Sequence, residues 1–476
     1  MDFLSEPMLL LGYAFAVIVF VIGSTYVIKN LPGIETHVVY SLWRSERFKR
    51  LIKRFSKLSK FISAVSVLGS VLGFGIFASD FLFMKERKLK HRLIATAIFS
   101  MALSFFYFFT FQFLIIGVPF TRAYETVFAV LFTLFGLSGF GLFLMVVNGL
   151  HIVQGLFAGE TVCPGVAPLI PGVKIPKVPV FIPWYGWPAL IIALILHEGA
   201  HGIQAIKEKI RLKSAGILLL GILPFGAFVE PDEKGLKAAK PEKRMLIYSA
   251  GPSANMFSVP IFILIAMLFN AFFLTPAYKA YEKAYLSVVE GVEIENVMET
   301  MPYCNGPKGP AYGILKSGMR IVAVDGTPVN NRIELATVLS SNRFKERVFK
   351  VKDGNETAEF SITPNQELPL YPPLNFGITV KDIPKAGAKI DGKIESAFFN
   401  AAIIDNFIWL CFLLSFLVML FNFLPIVPLD GGYIANDLYS YYFLGEINER
   451  NKKKISDAML ALFFVIALLN IIPFFV

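Results

Sequence analysis

The sequence predicts a polytopic α-helical membrane protein of about eight transmembrane helices, with a re-entrant β-like loop and an inserted extramembrane α/β domain. The first observation behind this is composition: 476 residues, 55% hydrophobic and only 17% charged, with a mean hydropathy of +0.62. Soluble domains carry about a quarter charged residues. The second is the recurrence of apolar runs long enough to cross a hydrocarbon core, which needs roughly 20 helical residues. They lie at 8–28, 61–84, 93–117, 126–150, 184–206, 244–274, 402–424 and 456–475. The third is a stretch of soluble composition, residues 283–385, between the sixth and seventh runs.

Residues 1–160 form an N-terminal block of four apolar runs. The first lacks a basic leader and begins with Asp2 and Glu6, so it reads as a retained anchor rather than a signal peptide. The formal charge of +10 does not point to nucleic acid, because the lysines and arginines sit beside the runs. Arg44, Arg47, Lys49, Arg50, Lys53, Arg54, Lys57 and Lys60 fall in one loop, as expected of a cytoplasmic collar facing the lipid bilayer. Three cysteines, Cys163, Cys304 and Cys411, are too few for a disulfide framework. Cys163 and Cys304 could meet outside, but pairing is not the expectation.

Residues 161–282 and 386–476 read as the two parts of a membrane core. Six prolines in 161–183 make an irregular connector before the helix "LIIALILHEGAHGIQAIKEK". "SAGILLLGILPFGAFVE", residues 214–230, is apolar but interrupted by Gly216, Gly221, Pro224 and Gly226. Non-helical backbone at membrane depth must be buried in protein or line a cavity, hence the re-entrant β-like reading. In the soluble stretch, "GILKSGMRIVAVDGTPVNNRIELATVLSS" and "RVFKVKDGNETAEFSITP" predict a strand, a turn at Asp325 and Gly326, a short helix, and a hairpin around Asp353 and Gly354. It resembles a PDZ domain, a likeness carried by "KSGMRIVAVDGTPV", and such domains take peptide segments by strand addition.

The chemistry concentrates in "HEGAH". A spacing of four puts His197 and His201 on one helical face, suited to one metal ion. Glu198 beside them matches the base, not a ligand, of zinc hydrolases. Ionisable groups at membrane depth are costly and point to function. Catalytic zinc usually has three protein ligands, and the best remaining candidate is Asp430, at the end of the proline-bent "NFLPIVPLDGGY". On its own, an aspartate before glycines is as readily a turn residue.

With these motifs, "LPFGAFVE" and "AGPSAN" at 250–255, residues 160–476 resemble the site-2 protease family of intramembrane zinc metalloproteases, closer to its archaeal and eukaryotic branch. The resemblance implies one zinc ion held by His197, His201 and Asp430, with Glu198 as catalytic base. It also implies that Asn422 engages substrate backbone. Asn255 is a candidate for the same cavity, and Phe225, Gly226, Ala227 and Phe228 for a strand that pairs with an unwound segment of a transmembrane protein substrate.

Basic residues 207–213 and 450–454 place both loops in the cytoplasm, the zinc site toward that side and the PDZ-like domain outside, in a prokaryotic plasma membrane. One conflict follows. Eight crossings put Lys85, Arg87, Lys88, Lys90 and Arg92 outside, whereas a re-entrant 61–84 would need another crossing upstream of His197 to restore parity.

Three other readings compete. "GLSG" resembles the rhomboid serine motif, with Ser138 as nucleophile and His151 as its base, though small residues at helix contacts explain it more simply. A non-enzymatic scaffold would use the metal structurally, but such sites are normally closed by four protein ligands. A transporter would show repeated helices, and none is seen.

Overall fold

The computed structural model describes residues 6–37, 40–114, 122–159, 162–167, 169–175, 178, 180–301, 308–342, 344–365 and 372–475; some side chains in the first, fourth and fifth helices and at Leu223 and Phe225 fall outside the description. In chain order the elements are α1 (Glu6–Ile28), β1 (Ile34–Thr36), β2 (Tyr40–Arg44), α2 (Glu46–Phe55), α3 (Ser59–Phe83), α4 (Leu89–Leu114), α5 (Arg122–Phe157), α6 (Gly186–Lys207), β3 (Leu212–Leu220), β4 (Leu223–Pro231), α7 (Glu233–Ala238), α8 (Pro241–Phe269) and α9 (Thr275–Val288). There follow β5 (Val289–Val297), β6 (Arg320–Val324), β7 (Thr327–Pro328), α10 (Arg332–Ser340), β8 (Arg347–Asp353), β9 (Glu356–Ile362), α11 (Pro372–Asn375), β10 (Ile378–Pro384), α12 (Gly392–Phe423), α13 (Asp430–Leu444) and α14 (Glu449–Ile471).

The chain divides into two compact units, one of residues 1–151, 183–264 and 407–476, the other of residues 152–182 and 265–406. Among the described residues six helices are long and apolar enough to cross a membrane. The first and third predicted runs appear as α1 and α4, 23 and 26 residues long.

In the first unit, the interrupted stretch 214–230 forms an antiparallel hairpin, β3 with β4, in register Gly216↔Phe228 and Ile217↔Ala227. The sheet extends to four strands in the order β1-β2-β3-β4, a continuation absent from the sequence reading. Gly216 makes it possible, since a Cβ there would lie 2.0 Å from the Trp43 carbonyl oxygen of β2. β4 has β3 on one side and, among the described residues, no strand on the other.

Two of the apolar helices do not run straight. α3 breaks at Gly75 (φ 59°, ψ −141°) and α5 at Gly136 (φ 61°, ψ −150°), conformations that favour glycine. Each glycine sits against the other helix: a Cβ on Gly75 would lie 2.4 Å from the Thr133 carbonyl oxygen, and one on Gly136 2.3 Å from that of Leu72. α8 serves as a ruler for the path of α3. Ser63 accepts from Lys207 at the end of α6, Ser70 donates to Ser249 at 2.8 Å, and Gly69 abuts Ser253 further along α8. After Gly75 the chain returns, and Lys85 pairs with Glu242 in the first turn of α8. In α5, one apolar cluster joins Ala129 and Phe132 before the break to Phe140, Phe143 and Leu144 after it. Both helices are therefore broken at a glycine inside the runs read as crossings at 61–84 and 126–150.

The second unit has a sheet in the order β10-β5-β6-β8-β9, with β7 paired to β6. Its core includes Val292, Ile321, Leu335, Phe349 and Ile378. The predicted turn lies at Asp325 (φ 48°) and Gly326 (φ 77°), and the predicted hairpin turns at Gly354 (φ 57°). Burial alone would lift the Asp325 carboxyl, but the Val348 amide and the Arg347 guanidinium override it and hold it below the ordinary carboxylate range. Contrary to the sequence expectation, Cys163 is disulfide-bonded; Cys304 lies outside the described residues, and Cys411 is free and buried.

Candidate metal centre

All the elements of the site belong to the first unit. α6 carries His197 and His201 on one buried face, and α13 begins at Asp430. The approach of α13 depends on its two glycines. A Cβ on Gly431 would lie 2.4 Å from the Leu424 carbonyl oxygen, and one on Gly432 2.3 Å from Ile426 and Val427 backbone atoms. The chain doubles back tightly there, and the aspartate is delivered to the histidines.

Asp430 Oδ2 lies 3.0 Å from His197 Nε2 and 3.1 Å from His201 Nε2, and the two Nε2 atoms are 3.2 Å apart. Ligands about 2.0–2.1 Å from a tetrahedral zinc stand roughly 3.3 Å from one another, so the triangle fits. Electrostatics points the same way. His201 Nδ1 lies 2.7 Å from the Ile247 carbonyl oxygen, which can only accept, so in the neutral ring Nδ1 carries the hydrogen and Nε2 presents a lone pair. Lone pairs facing a carboxylate oxygen at this range repel unless a cation sits among them.

His197 is held by Asn255 on α8. The Asn255 amide lies 3.2 Å from His197 Nδ1 with its nitrogen toward the ring, while its oxygen is buried and unpartnered among the described residues. The ends of an amide exchange by a half-turn. The exchanged orientation lets Oδ1 accept from Nδ1–H, satisfies the orphan and frees Nε2 for metal. Between Ile247 and Asn255, Gly251 leaves room: a Cβ would stand 2.3 Å from His201 Nε2 and 2.6 Å from His197 Nε2.

Glu198, next on the helix, accepts from the Val229 amide of β4 at 2.8 Å. This ties its carboxylate to the hairpin. Further out, Arg244 on α8 makes a buried two-pronged pair with Asp437 on α13, both contacts at 3.0 Å, and donates to the carbonyls of Lys237 and Ala239. It fastens the helix carrying Asn255 to the helix carrying Asp430.

The predicted residues thus separate. His197, His201, Asp430, Glu198 and Asn255 come together. Gly226, Ala227 and Phe228 lie in β4 beside Val229, and the Phe225 side chain is outside the described residues. Asn422 is half-buried near the end of α12, its amide donating to its own helix at Val418. Ser138 is fully buried in α5, whereas His151 is exposed. Sequence reasoning missed Val229, Ile247, Gly251, Arg244 and Asp437. "AGPSAN" flagged the right helix, but a carbonyl that accepts from a histidine carries no sequence signature.

A model of peptidase family M50 matches residues 185–468, which span both histidines and the aspartate. The chain belongs to peptidase family M50. The donor set agrees with the metalloprotease chemistry of that family. This M50 chain is also similar to an uncharacterized protein of Methanocaldococcus jannaschii, 32% identical over 256 residues. The match covers 54% of the chain and 57% of the relative, so the chain spans little more than half the length of that curated protein.

Proposed function

We propose that this protein is a site-2-type intramembrane zinc protease, hydrolysing peptide bonds within or beside the membrane segments of other proteins. The observation that carries the reading is the convergence of His197, His201 and Asp430 with Glu198 alongside. Three protein ligands leave a fourth position open, as catalytic sites do, whereas a purely structural site would be closed. Zinc bound there would supply Lewis-acid chemistry, polarising the scissile carbonyl and acidifying a water.

Glu198 would take a proton from the attacking water and return it to the leaving amine. The Val229 amide keeps its carboxylate in place for both transfers. A helical substrate hides its carbonyls and must unwind before attack. The edge of β4 away from β3 supports strand addition at Gly226–Phe228, which would bring the unwound segment next to the base. Asn422 could join the substrate backbone by releasing Val418. We read the second unit as a PDZ domain that takes peptide segments at the β10 edge, alongside α10. The basic loops support a cytoplasmic metal site, and the Cys163 disulfide supports an oxidising side for residues 152–182.

The test is cleavage of a single-span substrate by purified protein with zinc, set against Glu198→Gln. Cleavage near the span by the wild type alone, with equal zinc content in both proteins, is the expected outcome. Equal cleavage by both would remove Glu198 from the mechanism.

A further inference from the structure

The loop before α3 holds a helix whose faces are sorted by chemistry. Around α2, Ile52 is buried in the core against Ile203 and Ile210, with Phe48 packed beside it. Next round the wheel come Phe55 and Leu51, apolar yet 47% and 44% exposed. Arg47, Arg54 and Arg50, at i, i+7 and i+3, then form one edge adjoining Leu51, and Lys53 lies beyond them. Of the loop's cations, Arg44 pairs with Glu35 and Glu230, and Lys49 with Glu46. Arg47, Arg50, Lys53, Arg54, Lys57 and Lys60 are exposed and have no acidic partner among the described residues.

The open apolar sector faces space. A cavity of about 380 Å³ is lined by Leu51, Phe55, Phe61, Leu196, Gly199 and Phe257, among others. A second of about 440 Å³ shares Phe48, Leu51 and Ile195 with it and reaches Arg47. Both are almost wholly apolar and lie in the size range that takes a ligand.

We propose that α2 and the grooves beneath it form a seat for one anionic phospholipid, its phosphate on the Arg47, Arg50 and Arg54 edge and an acyl chain in the groove against α6. An interfacial helix places its apolar face at the acyl boundary and its cations at headgroup level. Here the cations nearest the apolar edge are arginines, whose planar fork suits phosphate oxygens, while the point-charge lysines lie further round. Three unpaired cations rimming an apolar trough match a ligand with a negative head and a hydrocarbon tail. Gly199 falls on the face of α6 opposite His197 and His201, so the seat lies on the outer side of that helix. The proposal does not depend on proteolysis.

The test is native mass spectrometry of the full chain in detergent, titrated with dioleoylphosphatidylglycerol or dioleoylphosphatidylcholine. The first-bound phosphatidylglycerol should be held roughly a hundredfold tighter, at about fivefold per arginine. Arg47→Gln, Arg50→Gln and Arg54→Gln together should abolish the preference. Lys53→Gln, Lys57→Gln and Lys60→Gln together should leave most of it. If the glutamine triple fails to fold, Arg47→Gln, Arg50→Gln and Arg54→Gln made singly should each lower the preference about fivefold. Equal retention of the two lipids, equal loss in the arginine and lysine triples, or displacement by inorganic phosphate at matching concentration would each overturn the seat.

Discussion

At the scale of the residue, the proposed metal binding would depend on hydrogens that the two histidines place away from their Nε2 atoms. Ile247 achieves this for His201 through a carbonyl that no side-chain substitution removes. Asn255 does it for His197 through a side chain, and is the replaceable half of the arrangement. Asn255→Leu should weaken zinc binding by about 10- to 100-fold, the usual loss when a ligand's outer partner is removed, as read by competition with a chromophoric chelator. Asn255→Asp, which keeps an acceptor, should stay near wild-type affinity; equal weakening in both variants would show that Asn255 only fills space. Gly251→Ala should cost more than either. Its methyl group would stand 2.3 Å from His201 Nε2, so the purified variant is expected to carry little zinc. His197 and His201 were legible in the sequence because a four-residue spacing on an apolar helix is a local pattern. Gly251 was not, because what it must avoid belongs to another helix.

Among the elements, the site depends on α8 and α13 holding a fixed relation to α6. The Arg244 and Asp437 side chains are 10% and 5% exposed, so removing one partner strands a buried charge. Asp437→Ala should lower stability by about 3–5 kcal/mol, measured by unfolding in sodium dodecyl sulfate against retained zinc. The paired change Arg244→Met with Asp437→Leu should recover much of the loss, since replacing both charges by apolar groups is often neutral. No recovery would mean that the two prongs on Asp437 and the carbonyls of Lys237 and Ala239 are needed as a set. The hairpin β3–β4 could be foreseen from the glycines and proline that interrupt an apolar run. β1 and β2 could not, being three and five residues long, and β2 joins β3 across more than 170 residues of chain.

Across the whole molecule, hydropathy counts apolar residues but is blind to their direction. A helix that crosses and a helix that dips, turns at one glycine and returns bury the same residues and have the same composition. Gly75 and Gly136 are single letters inside long apolar runs, so α3 and α5 read as crossings. If both helices fold back at these glycines instead of crossing, the charge conflict in the N-terminal block is resolved. If α3 alone returned, the metal helix would be inverted relative to its basic flank; with α5 returning too, parity is restored by losing two crossings rather than by gaining one. The loops at Arg44–Lys60 and Lys85–Arg92 then share the cytoplasmic side, as the positive-inside tendency asks. The pairing of Lys85 with Glu242, in the first turn of the helix that follows the basic segment 207–213, agrees. Single cysteines at Lys57 and Glu86, in a chain whose native cysteines are otherwise kept from reacting, should both be labelled by an impermeant maleimide from the cytoplasmic side of oriented vesicles. A cysteine at Phe120 should be labelled from the other side. Labelling of Glu86→Cys only from outside would restore eight crossings and leave the glycine breaks as kinks in spanning helices.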